Sequence, residues 1–240
     1  RRHGEYQPEG GLIMKLKHAF AAAACVLAFG VGSQAEAVPV PGHIPGGGET
    51  NDALTPLGMP TPLGGWYGAT LYLIGSDATV EATLMGAEAG YTNSFHFYGQ
   101  TALTAGNTGG AWAPDGATSR MESGLSSSLL NFSFSTSGGG VDAVNGSNPD
   151  NTGPQPNFFV SFWNGADGSD AGSSGQVAYL FFDDGGADDD DNHDDLVIRL
   201  SITGGTISTT PIPIPAAGFL LLGGLGVLGA AGLRRRRKES

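Results

Sequence analysis

The chain has 240 residues, rich in glycine (41) and proline (14), with 23 acidic against 11 basic side chains and a formal net charge of −12. The basic residues crowd the two ends, so residues 38–215 hold only Arg120 and Arg199 against nineteen acids, a net of −17. Such a body lacks the clustered Lys and Arg that phosphate binding needs, which speaks against nucleic acid as a partner.

Residues 1–13 precede Met14 and mix Arg1 and Arg2 with Glu5 and Glu9, a poor start for an export signal, and are expected to be a translated leader. From Met14 the pattern changes. Lys15 and Lys17 form a positive n-region, residues 19–31 an apolar h-region, and Ala35-Glu36-Ala37 a small-x-small cleavage site. This predicts a signal peptide over 14–37, cut by signal peptidase after Ala37, with a hydrophobic core too short for a transmembrane helix. The chain's one cysteine, Cys25, leaves with it. The exported body then has no disulfide and stands on its core or on bound metal.

Residues 38–62, rich in Pro and Gly, read as a loose entry segment. Between 63 and 203 helical periodicity is hard to find and alternation is easy: 66–74, 78–85, 91–98, 129–135, 157–163, 176–182 and 196–202 each read as a short strand bounded by turn residues. Phe95 and Phe97 point inward with His96 outward. Leu130, Phe132 and Phe134 share one face, and Leu196, Ile198, Leu200 and Ile202 point inward with Arg199 outward. The expected fold is all-β, a β-sandwich or jelly roll of about 7–9 short antiparallel strands. Segments 102–128 and 137–156 are expected to be surface loops, and 204–210 a linker.

The sharpest chemical feature is the acidic run 183–195, which holds eight aspartates and is followed at once by the strand from Leu196. Neighbouring carboxylates about 5 Å apart repel by on the order of 0.8 kcal/mol per pair even in water. Hard oxygen ligands on a glycine-containing loop suit Ca2+, and the candidate ligands are Asp183, Asp184, Asp188, Asp190, Asn192, Asp194 and Asp195. In an extended segment Asp188, Asp190, Asn192 and Asp194 line one side. The loop is not an EF-hand: counted from Asp188, the sixth position is His193 and the twelfth Arg199. A solvated acidic loop without metal is the alternative.

Signals for catalysis are few. There is no Gly-x-Ser-x-Gly elbow, the mature chain has no thiol, and His43, His96 and His193 are widely spaced. His193 within the acidic run is a candidate ligand or proton carrier, with a solvated histidine whose acidic neighbours favour its charged form as the more economical reading. Glu81 and Glu88 make a glycosidase pair only if the fold sets them at the right separation. The chain is therefore expected to be a non-enzyme. Trp66 and Trp163, on strands, are expected in the core, while Trp112 sits among small polar residues as the candidate contact for a saccharide.

The C-terminal end carries Pro213, Pro215 and Ala216, an uncharged stretch over 216–233, and Arg234, Arg235, Arg236 and Arg237 followed by Lys238. As a helix the stretch reaches about 27 Å, just enough to cross a bilayer, with the basic cluster held on the cytoplasmic side. A plain single-pass anchor is the alternative. These residues resemble the VPLPA variant of the PEP-CTERM sorting signal of exosortase substrates, with Ile212 and Ile214 at its Val and Leu positions. The resemblance covers residues 211–238. It implies a transient inner-membrane anchor, cleavage near the proline motif by an exosortase-type transpeptidase, and delivery to the cell surface or beyond. The acidic run with its flanking strands, and 86–95, also resemble segments recurring in such sorted surface proteins. The expected function is an exported structural protein of the cell surface or matrix, calcium-stabilised and associated with exopolysaccharide. A lectin-like carbohydrate-binding module is the alternative.

Overall fold

The computed structural model describes residues 38–46, 49–165, 172–188 and 190–210, without the side chain of Asp188. The expected leader, signal peptide, sorting motif and membrane helix lie outside them. Among the described residues the only helix is a 3-10 turn, Gly186–Asp188, and no helix is long and apolar enough to cross a membrane.

The described chain is all-β and antiparallel. In order it forms β1 (Val40–Ile44), β2 (Leu63–Tyr67), β3 (Tyr72–Ala87), β4 (Asn93–Phe97), β5 (Leu103–Ala105), β6 (Ala113–Pro114), β7 (Ser119–Leu125), β8 (Ser128–Leu129), β9 (Phe132–Thr136), β10 (Ala143–Val144), β11 (Asn157–Ser161), β12 (Ser174–Gly175), β13 (Val177–Asp183) and β14 (Leu196–Ser208). One sheet of ten strands runs β1-β2-β11-β13-β14-β3-β6, with β12 on β14 and β7 and β8 on β3; a second runs β10-β9-β4-β5. The sixteen-residue β3 is the spine: β14 pairs along it from Tyr72↔Ser208 to Val197↔Gly86, with bulges that let the long pair twist.

The main core lies where the two sheets meet. Phe134 of β9 stacks on Phe182 of β13 with ring centroids 4.8 Å apart, and Phe132 and Phe134 both pack on Phe158 of β11. The inward assignments of Phe95, Phe97, Leu130, Phe132, Phe134, Leu196, Ile198, Leu200 and Ile202 all match this core. Each buried phenylalanine contributes roughly 1.5–3 kcal/mol of hydrophobic transfer.

A second core sits on the opposite side of the large sheet. Phe159, Phe181 and Val197 point into it, alternating with Phe158, Phe182 and Ile198 of the first. The strands β11, β13 and the start of β14 are thus covered on both faces, which accounts for the apolar runs at 158–160, 177–182 and 196–198. The cover is the segment read from sequence as a loose entry. Ile44 of β1, Ala53, Leu54 and Met59 close the second core, and Asn51 Oδ1 caps the turn by accepting the N–H groups of Ala53 (3.0 Å) and Leu54 (3.1 Å). Two further expectations need correction. The linker 204–210 continues β14 as far as Ser208, and the expected loop 102–128 contains β5, β6, β7 and the first residue of β8.

Candidate metal centre

β13 ends at Asp183 and β14 starts at Leu196, so paired central strands deliver both ends of the acidic run to one edge of the sheet. The chain turns back at once, because Asp183 Oδ1 accepts the N–H groups of Gly185 (2.9 Å) and Gly186 (2.5 Å). Gly186 has φ +70°, and a Cβ there would stand 2.5 Å from the Gln155 carbonyl oxygen, so a side chain does not fit. Further along, Asp191 and His193 hold φ values of 53° and 62°. Each such left-handed non-glycine costs on the order of 1–3 kcal/mol and persists only where its surroundings impose it.

These turns bring Asp183, Asp191 and His193 together, with one ligand atom from each lying within 4.8 Å of the others. His193 Nδ1 is 3.4 Å from Asp183 Oδ2 and 3.6 Å from Asp191 Oδ1. Asp183 and His193 are fully buried.

A relay of amides fixes where the imidazole proton sits. Asn151 Nδ2 donates to Asp191 Oδ1 (2.7 Å), Asn157 Nδ2 donates to Asn151 Oδ1 (2.9 Å), and Asn157 Oδ1 faces His193 Nε2 at 2.9 Å. Each amide donates its Nδ2 along this chain and so presents its oxygen at the other end, which makes His193 Nε2 the proton-bearing nitrogen. Nδ1 is then a bare lone pair. It is buried and without a hydrogen-bond partner, as is Asp183 Oδ2.

Burial pushes His193 down to about 3 and Asp183 up to about 7, the latter partly offset by the N–H donors of Gly186 and Gly185. Without metal, the site therefore keeps a neutral imidazole and places its titrating proton on Asp183. Three lone-pair atoms facing a common point need a proton or a cation between them, and the triad can hold a metal ion. One imidazole nitrogen with two carboxylate oxygens is a mixed donor set, open to Zn2+ and Mn2+ as well as to harder ions.

The structure redistributes the other expected ligands. Asp184 Oδ2 accepts from Asn93 Nδ2 (2.8 Å), Asp195 Oδ2 from the Asp184 N–H (2.8 Å), and Asp194 Oδ2 from the Asp52 N–H (2.5 Å). The one-sided ladder of Asp188, Asp190, Asn192 and Asp194 is not seen: Asp190 is exposed while Asn192 and Asp194 are buried, and the Asp188 side chain lies outside the described residues. Asp191 was not among the expected ligands, and His193 is a buried neutral group rather than a solvated, charge-favoured one. The Asp191-x-His193 spacing was the available signal. Nothing in sequence announced Asn151 and Asn157, which come from an expected surface loop and the strand after it.

Trp112, the candidate saccharide contact, is not a freely exposed loop side chain. It is half-buried against the second core, with its Nε1 buried and unpartnered, and its ring so close over Gly86 that a Cβ there would stand 2.5 Å away. Trp66 and Trp163 are half-buried too, each packed against one of the cores. The signal-cleavage residues Ala35 and Ala37 and the sorting residues Pro213, Pro215, Ala216, Arg234, Arg235, Arg236 and Arg237 lie outside the described residues. Comparison with protein-family models, with curated proteins and with solved structures gives no match to this chain.

Proposed function

We propose that the chain is an exported structural protein of the cell surface or extracellular matrix. Its body is a β-sandwich whose acidic end is clamped by divalent metal, and its tail is a sorting signal removed by an exosortase-type transpeptidase. The observation that carries the metal clamp is the bare Nδ1 of His193 facing the carboxylates of Asp183 and Asp191. In this reading calcium serves the oxygen-rich loop and a transition ion suits the imidazole-containing triad. The destination rests on residues 14–37 and 211–238 alone.

Association with exopolysaccharide fits a protein displayed at the surface. A carbohydrate-binding role is the second reading, favoured by a cleft of about 490 Å³ lined by Trp163, Tyr179, Gln176 and Arg199, which joins aromatic faces to one of the body's two cations.

The test of destination is fractionation of cells with and without their sorting transpeptidase, followed by sequencing of the mature C-terminus. Surface material ending near Pro215 only in cells that have the enzyme supports the proposal. Full-length chain retained in the inner membrane of both strains contradicts it.

A further inference from the structure

Phe181 of β13 and Val197 of β14 belong to the second core, and two residues further along the same face of each strand stand Tyr179 and Arg199, paired across the two strands. These two line the cleft of about 490 Å³ together with Trp163, just after β11, and Gln176, just before β13. None of the covering segment 38–62 lines it. The volume falls within the roughly 300–1,000 Å³ of ordinary small-molecule sites. The rings of Trp163 and Tyr179 are half-buried against the second core, with centroids 6.5 Å apart and planes at 58°. Packing holds them in place, and such fixed aromatic planes suit the C–H faces of sugar rings.

Arg199 is the cation of this cleft, and it makes no hydrogen bond or ion pair with any described residue. Glu81, placed diagonally from it on β3 opposite Ser201, does not pair with it. Arg120, by contrast, is tied to the carbonyls of Thr101 (2.8 Å) and Ser119 (2.8 Å). A free guanidinium is a rigid fork of N–H donors that matches a carboxylate through two parallel bonds. The Tyr179 hydroxyl and the exposed Gln176 amide are likewise without hydrogen bonds to described residues, and they suit sugar hydroxyls. With only Arg120 and Arg199 against nineteen acids, the body repels a densely charged polymer. It acts weakly on one isolated carboxylate, because salt screens charges beyond about 8 Å at physiological ionic strength.

On the carbohydrate-binding reading of this cleft, we propose that its ligand is an acidic glycan with uronic-acid carboxylates spaced by neutral sugars. Arg199 selects the carboxylate, and Trp163 and Tyr179 are the surfaces on which the sugar rings lie.

The experiment applies the full-length chain, purified in detergent, to an array of glucuronate-, galacturonate- and mannuronate-containing oligosaccharides, each beside its carboxyl-reduced neutral form and a sulfated form, with titration of those that bind. The wild type is expected to bind at least one uronate oligosaccharide on the order of tenfold more tightly than its reduced form. Arg199→Gln is expected to lose that preference while keeping its affinity for the reduced form. Arg120→Gln, which removes the same charge elsewhere, is expected to match wild type. If Arg199→Gln fails to fold, Arg199→Lys decides: a point charge cannot bond bidentately, so its preference is expected to shrink, and an unchanged one overturns the proposal. Equal wild-type binding of acid and reduced forms overturns the proposal but leaves the carbohydrate-binding reading, whereas binding to no saccharide removes both. Tighter binding of the sulfated forms, or a full preference in Arg199→Gln, also overturns it.

Discussion

His193 Nε2 and Asn157 Oδ1 stand 2.9 Å apart in the buried end of the large sheet, and this contact decides the chemistry of the imidazole's other nitrogen. Asn157 presents its oxygen because its Nδ2 is committed to Asn151, whose own Nδ2 is committed to Asp191 Oδ1. The relay thus begins and ends on the triad.

Asn157→Leu breaks that relay by putting an apolar side chain of similar size in place of the amide. The imidazole loses its fixed tautomer, and metal affinity is expected to fall about 10–100-fold. Leaving Nε2–H buried and unpaired is expected to cost about 1–3 kcal/mol as well. Zn2+ titration and denaturant unfolding in chelator separate the two effects. Affinity equal to wild type would remove the relay's role.

Stability without metal should depend on pH in a defined direction. Burial, the largest cause in each case, holds Asp183 at about 7, Asp194 at about 8 and Asp195 at about 9, all above the ordinary 3.8. The native state then binds more protons than the unfolded chain, so what these groups contribute is whole below their unfolded value and is lost as pH rises through about 7, 8 and 9. His193, lowered to about 3 from 6.5, acts oppositely, but only as pH falls below 6.5. The denaturation midpoint in chelator is expected to drop between pH 6.5 and 9. A flat or rising midpoint would show that these carboxyls are not held as protonated acids.

Metal uptake at the triad displaces the Asp183 proton. Zn2+ titrated at pH 6, below the Asp183 value of about 7, is expected to release about one proton per ion, and clearly less at pH 8. Calorimetry in two buffers of different ionisation enthalpy reads the number directly. Equal release at both pH values would place the ion elsewhere.

The aromatic contact between the sheets is a separate energetic unit. Phe134→Ala removes the ring stacked at 4.8 Å on Phe182 and is expected to cost about 3–5 kcal/mol by denaturant unfolding. Zn2+ affinity should hold, since no ligand touches Phe134. A cost below about 1 kcal/mol would mean that the two sheets do not share this core.

The alternation of Phe95, His96 and Phe97, and of Leu196 to Ile202, was legible because one face of each strand is buried and the period is two. The second core was not. Phe159, Phe181 and Val197 interrupt that alternation, and their cover comes from 38–62, whose Pro and Gly content resembles a tether. β7 was missed because it lies on β3 with no buried side chain, Met121 and Ser123 exposed and Glu122 half-buried, leaving no apolar period to read. Residues 204–208 are strand only because the sixteen-residue β3 offers a partner that far. At the site, the acidic run announced metal chemistry, but which carboxylates face inward depends on left-handed backbone at Asp191 and His193 and on asparagines far away in sequence.

The central claim is that Asp183, Asp191 and His193 close around one ion. Crystals of the protein grown with ZnCl2, with anomalous diffraction collected on both sides of the zinc edge, test it most directly. The account predicts one strong peak about 2.0–2.2 Å from Asp183 Oδ2, Asp191 Oδ1 and His193 Nδ1. Zinc bound only at other positions, with this triad intact and empty, would contradict it.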